Sequence, residues 1–524
     1  MQLWQKIKSQ FTLYPAVFFL VLLALGLRLP LLNSSFWLDE AAQAWESSRP
    51  LAQQLNIIPD FQPPLLHLIS HTAIQISQQE WWLRTVGALV PGLITVAAVF
   101  VLGNKLFNRR TGLLAGLLLA TNSFHIFFSQ ELRPYSLPAM LAVLSWLSLI
   151  GFINHTPKLK PPPLQLITAN LAYILLTTAG LYSSYLYPFL LISQLVYVGL
   201  ANRSLIKSYL LLLIPAVSLF LPWLPIFFQQ LQAGQQLRTK LQGWENVVSL
   251  TQTKSAAITY GKFVFGVINI EINLLFISLS ALITLLALIF ILKLVQTPNK
   301  TKFYSAPVSS YLLAASWLLI PFITSWLVSF AVPVVRPKRL LYLLPAFYLL
   351  LSALIDFNLR PASTQIKSSL KNKLLPIILL IVLLGANFYS TYRYWTNPAY
   401  QRENWRSLHQ EISQRFPEND TIAVFSFDQP FISWYWYNRG QYDSLATGAY
   451  AISDVPNLQQ RLKPIFDYQF VLMFDYLRDL TDPQDKLPQT IESYGYQSIG
   501  AISRPNIGQV HIYTKEELLS NRAW

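Results

Sequence analysis

Residues 13–40 read LYPAVFFLVLLALGLRLPLLNSSFWLDE. The run from Leu13 to Leu32 is apolar almost throughout and long enough for a helix to cross the ~30 Å hydrocarbon core of a bilayer. It ends without a small-residue cleavage site and is too long for the core of a signal peptide. It therefore predicts a retained first transmembrane helix. An acidic pair, Asp39 and Glu40, follows it closely in FWLDEAAQAW.

Working outward from this segment, comparable apolar runs recur as far as Tyr392, whereas the remainder reads as ordinary soluble sequence. With 524 residues, 53% hydrophobic and 12% charged, the chain carries too little charge to clothe a soluble surface of its size. The expected fold class is a polytopic α-helical membrane protein. About eleven spans are predicted, near 12–32, 84–104, 112–128, 137–153, 164–181, 187–200, 208–228, 273–293, 308–330, 340–357 and 374–391. Two long outer segments follow from that layout, 33–83 and 229–272. The first carries Trp37, Trp45, Trp81 and Trp82, a composition that suits helices lying in the interface.

The net charge of +15 raises the question of nucleic acid, but the position of the cations answers it differently, and no nucleic-acid partner is expected. If the N-terminus is cytoplasmic, the inner loops hold Lys6 and Lys8, then Lys105, Arg109 and Arg110, then Lys158 and Lys160, then Arg203 and Lys207, then Lys293, Lys300 and Lys302, and last Arg360, Lys367, Lys371 and Lys373. Every expected inner loop is basic, as the positive-inside bias requires. The C-terminus then lies outside, and a multi-pass protein of the plasma membrane, the inner membrane of the cell, is expected. The absence of cysteine excludes disulfides, thiolate metal sites and a thiol nucleophile.

From about Pro398 the pattern alternates between short strands, such as Thr421–Phe427, Phe470–Phe474 and Gln509–Thr514, and helical stretches around Trp405–Ile412 and Leu458–Ile465. A small α/β domain is predicted there, dividing the chain into 1–397 in the membrane and 398–524 outside it. Scattered charges in that domain, Asp428, Arg439 and Asp475, suit a solvated surface more than a ligand site.

Several residues at the outer ends of spans suit chemistry. Asp39 and Glu40 either cap an interfacial helix beginning at Ala41 or serve a site, and the two roles are compatible. SQELRPYSL, residues 129–137, places Glu131, Arg133 and Tyr135 on the same side as Asp39, as an ion-paired loop or as part of the same site. His67 and His71 in QPPLLHLISH share a helical face; they either pack inside the outer cap or contribute to a metal site. Arg84, Arg336 and Arg339 either snorkel or grip a phosphate. Carboxylates and arginines converging at a membrane surface suit group transfer from a lipid phosphate.

WLDE, QPPLLHLISH, SQELRPYSL, RPKRLLYLLPA and NPAYQRENWRSL, in this order over roughly residues 12–415, resemble the bacterial glycosyltransferase family 39 proteins. Those are relatives of the protein O-mannosyltransferases and of the lipid A aminoarabinose transferase, all of the GT-C class. The resemblance implies a GT-C-like fold and an inverting hexosyl- or pentosyltransferase that takes a sugar from a polyprenyl-phosphate donor at the outer face of the membrane. The acceptor is a lipid, a glycan or a protein. Asp39 matches the family's first-loop aspartate, with Glu40 beside it. Arg133 matches an arginine near the donor phosphate, and Arg339 or Arg336 the arginine of an RYLLP-like segment, with Arg84 completing the cationic ring. Glu131, Tyr135 and Gln62 stand as substrate-binding candidates. Relatives differ in their use of a divalent metal (Mg, Mn or Zn), so His67, His71 and Glu131 are conditional ligands. Competing readings are a transporter or flippase of lipid-linked saccharides, against which the gathering of charge at the outer face counts, and a ligase that moves a whole glycan.

Overall fold

The computed structural model describes residues 2–58, 60–155, 164–240, 250–268, 274–296, 308–359, 370–447, 452 and 455–515. The Pro-rich stretch 158–163, the basic residues Lys158, Lys160, Lys300, Lys302, Arg360 and Lys367, and parts of the second long outer segment lie outside the described residues. Among the described residues, six stretches are long and apolar enough to cross a membrane: 80–106, 136–154, 203–236, 308–328, 337–359 and 373–396. The first predicted span, 12–32, overlaps the helix Gln2–Arg28, which ends before the last residues of that span.

One predicted span is interrupted. The run expected as a single helix over 112–128 forms two, Arg109–Thr121 and Ser123–Phe128. Asn122, in extended backbone between them, ends the first and caps the second. Its Oδ1 accepts the His125 N–H at 3.0 Å, and its amide donates to the hydroxyl of Tyr348 at 2.8 Å and the carbonyl of Phe263 at 3.2 Å. A short polar side chain with tertiary partners outcompetes continuation of the helical ladder. Around this break the helices press together. A Cβ added to Gly112 would meet the Phe100 carbonyl oxygen at 2.5 Å, which is the close backbone approach that small residues permit in membrane bundles.

The two outer segments are more helical than loop-like. The first folds into the helices Leu38–Ser47 and Leu65–Ile74 and leads into Glu80–Arg84. The second contains the end of the helix Leu224–Lys240 and the helix Gln252–Phe265. The acidic pair does not precede its helix, as expected, but occupies the first turn. That helix starts at Leu38, because the Trp37 carbonyl accepts the N–H groups of both Glu40 and Ala41.

The last part of the chain builds one five-stranded sheet from β1 (Thr421–Phe425), β2 (Asp443–Ala446), β3 (Phe470–Phe474), β4 (Tyr496–Arg504) and β5 (Gly508–Lys515). The strand order is β2-β1-β3-β5-β4; β1 lies parallel to β2 and β3, whereas β5 runs antiparallel to β3 and β4. β1 and β3 are buried along their whole length, so alternate residues feed two cores. Ala423, Phe425, Leu472 and Phe474 pack with Trp405, Leu408 and Ile412 on one face, while Ile422, Val424, Val471 and Met473 pack with Leu462, Leu487 and Ile491 on the other. The sequence pattern missed β2 and β4 because both are edge strands with little apolar alternation.

Leu38 of the membrane part packs against the first of these cores, and Trp436 and Tyr437 pack against the membrane core. The Tyr437 hydroxyl accepts the Phe36 N–H at 2.6 Å and donates to Glu80 Oε1 at 3.0 Å, and Arg406 reaches the same Glu80 oxygen at 2.7 Å. The sheet domain is therefore seated on the segment that carries the acidic pair.

Candidate functional site

The helix Leu38–Ser47 turns Asp39 and Glu40 in different directions, and their surroundings differ accordingly. Glu40 is fully buried. Its Oε1 accepts from Arg84 Nε at 2.8 Å and from the Leu132 N–H at 2.7 Å, and its Oε2 accepts from Arg84 Nη2 at 2.5 Å. The rest of the Arg84 guanidinium donates to the carbonyls of Leu32, Ser34 and Ser35. Burial alone would raise the Glu40 carboxyl pKa, but Arg84, Arg402 and the Leu132 N–H outweigh it and hold the group below the ordinary carboxylate value. Arg84 consequently has no donor left for a phosphate, and Glu40 has no oxygen left open for a proton. Both were expected to face substrate; instead they join the first helical segment to loop 129–135.

Asp39 is one-third exposed. Two cations flank its Oδ2, Arg133 Nε at 3.9 Å and Lys338 Nζ at 3.8 Å. Arg133 is itself gripped by Asp60, through Nη1 to Oδ2 at 3.3 Å and Nη2 to Oδ1 at 3.2 Å. Burial works to raise the Asp60 pKa, yet Arg133 and the hydrogen bond from His67 hold it far below the usual carboxylate range. A carboxylate so fixed acts as an anchor that points the guanidinium. Gln62 donates to the same Asp60 oxygen at 2.6 Å. Arg336 and Arg339 lie within electrostatic reach of Asp39 and Tyr135, and Arg339 also donates to the carbonyls of Pro333 and Val334. Lys338 lies over the faces of both Trp37 and Tyr135.

His67 and His71 share the helix Leu65–Ile74 but serve different partners. The Gln43 amide nitrogen lies 2.9 Å from His67 Nδ1, and His67 Nε2 lies 3.1 Å from Asp60 Oδ2 and 2.7 Å from the Gln62 amide nitrogen. His71 Nδ1 faces the Ser47 carbonyl at 2.9 Å. Glu131 faces Arg402, with Nη2 to Oε2 at 3.4 Å. The conditional metal ligands are thus committed to separate hydrogen-bonded groups. Among the described residues no cluster of three or more His, Asp or Glu side chains is placed to hold a cation.

Arg402 comes from the segment that enters the sheet domain. It also lies 3.6 Å from Glu40 Oε2, donates to the Phe127 carbonyl and the Tyr394 hydroxyl, and stacks 4.0 Å over the Phe127 ring. Next to it, Glu403 accepts from the Tyr476 hydroxyl and Trp405 Nε1, both at 2.6 Å. Burial pushes the carboxyls of Glu131 and Glu403 up to about 7 against the pull of these donors. A cavity of about 200 Å3 opens here, lined by residues that include Trp37, Glu131, Lys338, Arg402 and Glu403.

Asp60, Lys338, Arg402 and Glu403 were not singled out from sequence. Lys338 and Arg402 lie inside the RPKRLLYLLPA and NPAYQRENWRSL motifs, so a signal existed. Asp60 stands two residues before Gln62 with nothing local to distinguish it.

Compared by sequence, the chain matches no protein-family model and no curated protein. Solved structures resemble it over almost its whole length. ArnT from Cupriavidus metallidurans in the apo state superposes with a TM-score of 0.57 at 12% identity, over 98% of this chain and 99% of that one. The same protein bound to undecaprenyl phosphate gives 0.55 at 11% identity with the same coverage. The archaeal oligosaccharyltransferase AglB from Archaeoglobus fulgidus, in complex with an inhibitory peptide and a dolichol-phosphate, gives 0.55 at 13% identity, over 96% of this chain and 74% of that one. The chain is a multi-pass membrane protein with the GT-C fold of these transferases.

Proposed function

We propose that the chain is an inverting glycosyltransferase that moves a sugar from a polyprenyl-phosphate donor to an acceptor at the outer face of the plasma membrane. The observation that carries this reading is Asp39, open to solvent between Arg133 and Lys338, with Arg133 aimed by Asp60. ArnT and AglB, whose fold the chain has, were solved with undecaprenyl phosphate and dolichol-phosphate respectively, which supports a lipid-phosphate donor. About eleven spans, a cytoplasmic N-terminus and an outer sheet domain accord with this. The helix Arg109–Thr121 runs roughly 20 Å at 1.5 Å per residue from the basic residues Arg109 and Arg110 before the second helix leads to loop 129–135.

The chemistry follows from the charges. A phosphate monoester is a weak base, so its departure needs cations and no general acid. Arg133 and Lys338, with Arg336 and Arg339 behind them, would hold the phosphate. Asp39 would orient the acceptor hydroxyl and take its proton as the acceptor oxygen bonds to the anomeric carbon. The bond from that carbon to the phosphate oxygen breaks as the new one forms, its electron pair passing to the phosphate. Attack from the face opposite the leaving group inverts the anomeric centre. His67, His71 and Glu131 keep to separate partners, and the steps above are written with this chain's own side chains alone.

Transfer of radiolabelled sugar from a panel of polyprenyl-phosphate sugars to membrane extracts tests the proposal. Transfer by the wild type that is lost in Asp39→Asn and Arg133→Ala supports it. Transfer untouched by Asp39→Asn removes Asp39 from the mechanism, and no transfer from any donor favours the flippase reading.

A further inference from the structure

Three residues that line the cavity beside Arg402 each carry a buried polar atom with no hydrogen-bond partner among the described residues: Glu131 Oε1, Trp37 Nε1 and Arg402 Nε. Glu131 is 1% exposed, and Arg402 Nε sees only the distant Glu40 carboxylate at 3.6 Å. A buried donor or acceptor left unpaired costs about 1–3 kcal/mol. Three around one cavity describe a ligand able both to accept and to donate. The walls between them are aromatic, from Trp37, Phe127 and Phe128. Apolar walls with a few fixed polar groups are the build of a small-molecule site, and flat rings alternating with hydroxyl partners suit the faces and edges of a sugar.

We propose that this cavity is the subsite for the single sugar ring of the donor, with the ring's hydroxyls read by Glu131, Trp37 and Arg402. The proposal rests on the transferase reading and adds to it the place and size of the transferred group. The cavity, about 200 Å3 and open to solvent on one side, has room for one sugar ring. Lys338 lines this cavity and also stands 3.8 Å from Asp39, so a ring seated here has its phosphate end beside the cationic cluster. The remaining wall belongs to the segment Gln401–Glu403 and to Asn506 in the turn between β4 and β5. The sheet domain and the segment leading into it thereby form one wall of the sugar's compartment.

The test uses the purified full chain in lipid nanodiscs and measures binding of bare undecaprenyl phosphate and of undecaprenyl phosphate bearing glucose, mannose or arabinose. The wild type should bind one sugar-bearing carrier more tightly than the bare carrier. Glu131→Gln, which is near-isosteric, and Trp37→Phe, which keeps an aromatic wall but removes the N–H, should each reduce that preference by roughly tenfold, the loss of one buried hydrogen bond. Affinity for the bare carrier should change by less than about twofold. A wild type without preference, or variants that weaken both carriers alike, overturns the subsite while leaving the phosphate site standing. Failure to bind any carrier overturns the transferase reading and the subsite with it.

Discussion

Arg84 and Glu40, separated by 44 positions in the chain, meet as a two-pronged ion pair with both side chains wholly out of solvent. All five guanidinium N–H groups are engaged, two on the carboxylate and the rest on three carbonyls. Removing one partner strands the other charge in a dry setting. Arg84→Ala is expected to destabilise the protein by about 3–5 kcal/mol. The double variant Arg84→Met/Glu40→Leu should lose less than the sum of the single variants. Thermal unfolding of all four proteins in one detergent checks this, and additive losses would show that the pair is not a unit.

Asp60 holds Arg133 without facing the solvent as Asp39 does. Asp60→Asn leaves the guanidinium charged but frees its fork, so the apparent KM for the donor should rise by roughly tenfold, with a smaller change in kcat. Steady-state transfer at varied donor concentration separates the two parameters. An unchanged KM would mean that Arg133 keeps its aim without Asp60.

Glu403 and Glu131 are both pushed up to about 7 by burial, against an ordinary value of 4.5. Between those values the folded chain keeps two protons that the unfolded chain has released. Stability from this source is present in full below about pH 4.5 and declines as pH rises through about 7. Melting temperatures of the wild type should therefore fall by a few degrees from pH 5 to pH 8. The Glu131→Gln/Glu403→Gln protein should show a flatter profile over that window, and a parallel profile would assign the slope to other groups.

The sheet domain is tied down where Arg406 and Tyr437 converge on Glu80. Glu80→Ala removes the shared acceptor and should loosen this contact by about 1–2 kcal/mol, since the pairs are partly exposed. Limited proteolysis should then cut faster around residues 397–404. Unchanged cleavage would place the docking energy in the apolar contacts of Leu38 and Trp436.

Much of the architecture was legible in the amino-acid order because it rests on local properties. The apolar runs and the switch to alternating strands after Pro398 need only nearest neighbours to be read. The break at Asn122 was not legible, since its cause is Tyr348 and Phe263, more than a hundred residues away. Within the site, the acidic pair and Arg133 stood out as charges at span ends, yet their division of labour did not. Asp39 and Glu40 are neighbours of the same chemical kind, and only the packing of Arg84 against one of them separates a buried strut from an open carboxylate.

The sequence by itself determined that this is a membrane protein with a sheet domain at one end and charge gathered at span ends, because hydrophobic length and periodicity are set by consecutive residues. The tertiary structure alone decided that Asp60 aims Arg133, that Lys338 joins Asp39 to the cavity, and that Arg402 brings the sheet domain to Glu131. Ion pairs and cavities form between side chains remote in sequence, and their geometry is settled by how the helices pack.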